Sequence, residues 1–202
     1  MQTNIRTGSE SASAANQLYT VAGISALLYV IVSLAAISFT DWNNPAAIST
    51  ALIVLNGLGY LALLPVVLGV YQHLRPASAA LSGIAVVSGV LALIGGATGT
   101  VVGFDTTLGL VGGLFASFGM LLFFGLSGYL ALTSRLLPAG WALVSILLGI
   151  TAVTAGIISG VAGSNSDITG IAWTAFSLLT IVWAVWTAME FIRRGRAASA
   201  GA

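Results

Sequence analysis

An all-α integral membrane bundle of six transmembrane helices is the fold this sequence predicts. Three observations point to it. Charged residues make up only 5% of the chain and hydrophobic residues 58%, against roughly 25% charged in an ordinary soluble domain. The mean hydropathy is +1.06. A soluble fold covers its core with polar surface, and this chain has too little, so apolar side chains must face lipid. The apolar runs are continuous over about 20 residues, the length of a helical crossing, rather than alternating over about 10 as in a barrel strand. In hydrocarbon every backbone polar group needs a partner within the protein, which makes each continuous run a helix.

The 202 residues leave room for six or seven crossings at about 20 residues each. Residues 1–16 are small and polar, with Arg6 and Glu10, and read as a disordered cytoplasmic arm. The transmembrane domain is expected over 17–192. Span 1 runs from Gln17 to Phe39. Ser33-Leu34-Ala35 is faintly like a signal cleavage site, but the apolar run is too long for a signal core and little basic charge precedes it, so the span is expected to be retained. After the loop Thr40 to Pro45, span 2 covers Ala46 to Leu74 and span 3 Ala77 to Val102. Span 4 covers Thr107 to Thr133, span 5 Pro138 to Val161, and span 6 Ile168 to Ile192. A basic cytoplasmic tail over 193–202 closes the chain. Pro45, Pro76 and Pro138 stand at span starts, where a missing N–H costs little.

Charge orients this array. Arg6, Arg75, Arg135, Arg193, Arg194 and Arg196 all fall on one side of a six-span model, and Asp41, Asp105 and Asp167 on the other. The positive-inside rule then puts both termini in the cytoplasm and the protein in the plasma (inner) membrane. Trp141, Trp186 and Phe191 are expected near the inner interface, and Trp42, Phe104 and Trp173 near the outer one, as an aromatic belt. The outer aspartates and the inner arginines each recur about 60 residues apart, so the chain reads as three successive helical hairpins; bilayer thickness alone also fixes that period.

Polar and small residues inside the spans carry what chemistry there is. Asn56 and Tyr60 lie one turn apart on one face of span 2, with Asn56 about 15 Å from a start at Ala46. Pro65 frees the carbonyl of Leu61. Together Asn56, Tyr60 and Pro65 form a candidate pocket, with Ser88, Thr98 or Thr154 as further lining; the plainer reading of Asn56 is an interhelical hydrogen bond worth about 0.6 kcal/mol. Gly95, Gly99 and Gly103, and again Ala152, Gly156 and Gly160, recur at four-residue spacing and read as helix-packing seams. Asp41, Asp105 and Asp167 are outer acidic turns: a cation-gathering ring, or more plainly turn residues that cap the next helix. His73 is a proton sensor or an interfacial residue, and Glu190 has helical ion-pair spacing to Arg193 and Arg194.

The absences narrow the function. No Asp, Glu, Lys or Arg lies mid-span, which argues against proton-coupled pumping and acid–base catalysis inside the membrane. There is no Ser/His/Asp set, no metal-ligand pair and no phosphate loop; Asn56-Gly57-Leu58-Gly59 lies within a span, without the strand context a nucleotide fingerprint needs. No catalytic residue, metal or cofactor is therefore assigned. Zero cysteines exclude disulfides and thiolate chemistry. The net charge of +1 gives no reason to expect nucleic acid.

The segments Ala22-Gly23-Ile24-Ser25-Ala26-Leu27-Leu28-Tyr29 and Gly69-Val70-Tyr71-Gln72-His73-Leu74-Arg75-Pro76 resemble small bacterial polytopic membrane proteins of a domain-of-unknown-function family. The resemblance implies a bacterial multi-pass protein and transfers no functional residue. The first expectation is thus a non-enzymatic assembly or accessory component whose partners are membrane lipids and a second copy or a membrane complex. The alternative is a facilitator or channel for a small neutral or weakly polar solute held near Asn56. A lipid-acting membrane enzyme comes third.

Without native cysteines, single cysteines report sidedness directly. Asp105→Cys is expected to react with an impermeant maleimide on intact cells, and Arg135→Cys only after the cells are opened. The reverse pattern would sink the arginine-based orientation.

Overall fold

The computed structural model describes residues 3–38, 50–103, 106–163 and 166–200. Every element among the described residues is an α-helix: α1 (Thr3–Ser38), α2 (Thr50–Leu74), α3 (Ala79–Val102), α4 (Thr107–Ser134), α5 (Ala139–Ala162) and α6 (Asp167–Ala200). Each of the six holds a stretch long and apolar enough to cross a membrane. The outward positions are correspondingly apolar: Leu61, Val101, Val161 and Ile171 are exposed, as a lipid-facing surface requires.

Two ends differ from the sequence expectation. The arm expected to be disordered over 1–16 is helical from Thr3, and α6 continues through the arginines of the expected tail to Ala200. A helix already nucleated in the membrane adds one hydrogen bond per further residue, and the Ser, Ala, Glu and Arg of these stretches tolerate that geometry.

Each helix packs on the next, and α6 returns to pack on α1, so the six form a closed ring with α2 also touching α4. The three hairpins are not separate units, since packing between them is as continuous as packing within them. Successive helices run antiparallel, so the ends of α2, α4 and α6 share one end of the ring. Arg75, Arg135, Arg193, Arg194 and Arg196 all gather at that arginine end. Asp167 opens α6 at the far end, while Asp41 and Asp105, with Trp42 and Phe104, lie outside the described residues. The cap expected of Asp105 belongs to Thr106, whose hydroxyl accepts from the Gly109 N–H at 3.0 Å. The cap expected of Asp167 belongs to Ser166, which accepts from the Thr169 N–H at 3.4 Å. Asp167 is instead the first helical residue, where its charge suits the positive end of the helix dipole.

The α3–α4–α5 side is held by close backbone approach. A Cβ on Gly95 would fall 2.5 Å from the Gly112 carbonyl oxygen, one on Gly119 2.6 Å from that of Ser88, and one on Gly128 2.7 Å from that of Ala142. Gly99 is buried beside Gly112 in the same seam. On α5, Ala152 is fully buried and Gly156 abuts the Ser117 side chain. The third member of each expected seam is placed differently. Gly103 ends α3 at φ 84°, donating its N–H to the Gly99 carbonyl at 3.0 Å. Gly160 is exposed with nothing within 4 Å of an added Cβ. A four-residue step overshoots a 3.6-residue turn, so a third small residue rotates out of the contact.

The α5–α6 seam uses indoles and hydroxyls instead. Trp141 Nε1–H donates to Thr187 Oγ1 at 2.8 Å, and Thr187 donates to the Trp183 carbonyl at 2.7 Å. Trp183 Nε1–H donates to Ser145 Oγ at 2.9 Å, and Ser145 donates to the Trp141 carbonyl at 2.9 Å. The four groups close a reciprocal loop across the seam. Trp141 is therefore wholly buried rather than part of an interfacial belt.

Gly95→Ala is expected to destabilise the bundle by about 1–3 kcal/mol, the range for overpacking, in denaturant unfolding from detergent micelles. Gly160→Ala should be neutral, or stabilising by up to about 1 kcal/mol through helix propensity. Equal effects at the two sites would overturn the seam assignment.

Candidate functional site: a cavity at the end away from the arginines

A closed ring of six helices encloses a centre that side chains must fill. Toward the arginine end they do. Phe123 and Phe124 meet edge to face with ring centroids 5.0 Å apart, Phe124 meets Trp183 at 5.1 Å, and Trp183 meets Trp141 at 5.7 Å. Toward the far end the described residues leave a cavity of about 270 Å³.

Five helices wall it. Tyr29 and Ser33 come from α1, Asn56 and Tyr60 from α2, Gly89 and Ala92 from α3, and Trp173, Ser177 and Thr180 from α6; Phe123 and Phe124 of α4 with Trp183 form the floor. Among the described residues, none of α5 lines it, and neither does any carboxylate, histidine or arginine. The Tyr60 ring lies against Gly96, where an added Cβ would fall 2.6 Å from it. Its hydroxyl lies near Thr100, which donates to the Gly96 carbonyl at 2.9 Å. The Tyr29 hydroxyl lies near Ser33 and Thr180, between α1 and α6. The described lining is mainly apolar, with hydroxyls, indoles and the Asn56 amide as its polar groups.

Neither a protein-family model nor a curated protein nor a solved structure matches this chain. The functional reading therefore rests on the geometry alone.

Of the residues singled out from sequence, Asn56 and Tyr60 share the cavity wall. Pro65 lies further along α2 and does not line it. Ser88 faces a separate groove on the outside of α3 and α4. Thr98 packs beside Gly112, with its Cβ 3.5 Å from the position an added Cβ would take there. Thr154 is exposed and donates to the Ile150 carbonyl at 2.9 Å. Asn56 lies in the first half of α2 as described, and the expected span start at Ala46 lies outside the described residues. Tyr29, Ser33, Ser177, Thr180 and Trp183 were not anticipated. The signal for the α6 members was a line of Thr and Ser at three-residue steps in an otherwise apolar helix.

A second cluster locks the arginine end. His73 is buried, not interfacial. In the neutral ring its Nε2–H donates to the Leu136 carbonyl at 3.0 Å and its Nδ1 accepts from the Tyr19 hydroxyl at 3.4 Å. The Arg194 guanidinium donates to the same carbonyl at 2.8 Å. Glu190 accepts from Arg193 at 2.7 Å and lies 3.9 Å from Arg194. Tyr19 and Phe191 pack with centroids 5.5 Å apart. The cluster ties α1, α2, the α4–α5 turn and α6 together, one floor away from the cavity. Replacing His73→Leu leaves the Tyr19 hydroxyl without its partner and is expected to cost about 1–3 kcal/mol in unfolding, with binding in the cavity unchanged. A loss of binding at preserved stability would overturn the separation of lock and site.

Proposed function

We propose that this chain is a plasma-membrane protein, with both termini in the cytoplasm, that takes a small, weakly polar molecule into the centre of its bundle from the outer side. The observation that carries the reading is the cavity itself. It reaches Asn56 and Tyr60, it is walled by five helices, and it stops on an aromatic floor. The arginine end supports the orientation, and that end is the packed one. A facilitator role then requires Phe123, Phe124 and Trp183 to move before a bound molecule passes inward. An engineered apolar cavity of about 150 Å³ accepts benzene, so this space suits one substituted ring or a short branched chain.

A second reading makes the bundle an assembly component that packs against its own copy or a partner complex. The observation favouring it is the apolar groove outside α3 and α4, lined by Leu91, Val111, Leu114, Phe115 and Phe118. A lipid-acting enzyme is the least supported reading.

Trp173 and Trp183 line the cavity, so a brominated ring bound there should quench their fluorescence. In lipid nanodiscs, 4-bromophenol is expected to give a saturable quenching component. Ser177→Phe, which places a ring inside the cavity, should remove that component without loss of thermal stability. Quenching that rises linearly and equally in both proteins reports partition into lipid only, and sinks the binding reading.

A further inference from the structure

We infer that the cavity selects molecules that donate a hydrogen bond, specifically neutral alcohols or phenols with an apolar body. The inference rests on the reading of the cavity as a binding site and narrows the class of its occupant. It follows from where the hydrogens of the lining groups already go. On α6, Thr174 donates to the Gly170 carbonyl, Ser177 to that of Trp173 and Thr180 to that of Phe176, each at 2.8 Å. A hydroxyl has one hydrogen and two lone pairs. These three hydroxyls, with their hydrogens held on their own helix, turn only acceptors toward the cavity.

Thr100, beside the Tyr60 hydroxyl, likewise donates to the Gly96 carbonyl. The indole N–H groups point away as well: that of Trp173 goes to Ser159 Oγ and that of Trp183 to Ser145 Oγ, both at 2.9 Å and both in the α5–α6 seam. What those two indoles show the cavity is their π-surface. Asn56 contributes the one side-chain amide among the described lining residues, and hence N–H donors of its own.

An acceptor in a low-dielectric site rejects a ligand oxygen that brings only lone pairs, because neither side gains a partner and both lose water. A hydroxyl ligand donates to the α6 oxygens and still accepts from the Asn56 amide. An ether or ketone satisfies only the second. A protonated amine also donates, but the described lining residues include no carboxylate, and an ammonium buried without a counter-charge is strongly disfavoured.

The test is a matched pair that differs only in the hydrogen. In the same nanodisc quenching assay, 4-bromophenol is compared with 4-bromoanisole on the wild-type chain and on the double variant Ser177→Ala with Thr180→Val. The phenol is expected to bind about tenfold or more tightly than the ether on wild type, and the double variant should bring the phenol down to the affinity of the ether while leaving the ether unchanged. Equal or tighter binding of 4-bromoanisole overturns the donor preference and leaves cavity binding standing. Equal loss of both ligands in the double variant also overturns it, since the hydroxyls would then only shape the space. Absence of saturable binding by either compound on wild type overturns the donor preference and the binding reading together.

Discussion

Lipid tails are as apolar as the leucines that face them, so nothing in a bilayer pushes these helices together as water would. Whatever holds the ring must come from close contact and from polar groups that find partners inside the protein. The chain meets this demand in three different ways around its circumference. Between α3, α4 and α5 it removes side chains, so that Gly95, Gly119 and Gly128 let one backbone touch the next. Between α5 and α6 it uses the reciprocal pairing of Trp141 with Thr187 and Trp183 with Ser145. At the arginine end it gathers His73, Tyr19, Arg194 and the Leu136 carbonyl into one polar lock.

The cavity follows from the same economy of contact. A ring of six has a centre too wide for aliphatic side chains from the walls to close. Aromatic residues close it at one end, where Phe123, Phe124 and Trp183 meet edge to face. At the other end, Tyr29 and Tyr60 lie at the wall beside Thr180 and Thr100, and Gly96 makes room for the Tyr60 ring against α3. The residues that shape this space are spatially separate from the polar lock at the arginine end.

Much of the architecture is legible in the chain because hydropathy and charge act locally. A run of about 20 apolar residues must be a helix in lipid whatever surrounds it, and the arginines just after α2 and α4 and in the last turns of α6 mark those ends without reference to any neighbour. Asn56 and Tyr60 could be paired from their spacing alone, since one helical turn puts them on one face. Ser33, Ser177 and Thr180 could not be assigned to the same cavity, because they come from α1 and α6 and meet only when the ring closes. Gly103 and Gly160 match the packing pattern as letters, yet one ends a helix and the other faces outward.

The amino-acid sequence by itself determined the solvent, the six crossings and the end at which positive charge collects, since each is a property of one segment and its medium. Which helices are neighbours, that α6 returns to α1, where the centre is filled and which hydrogens face away from the empty part were decided only by tertiary structure. Those depend on contacts between segments far apart in the chain, and among apolar helices of nearly equal hydropathy the pattern of one segment says little about its partner.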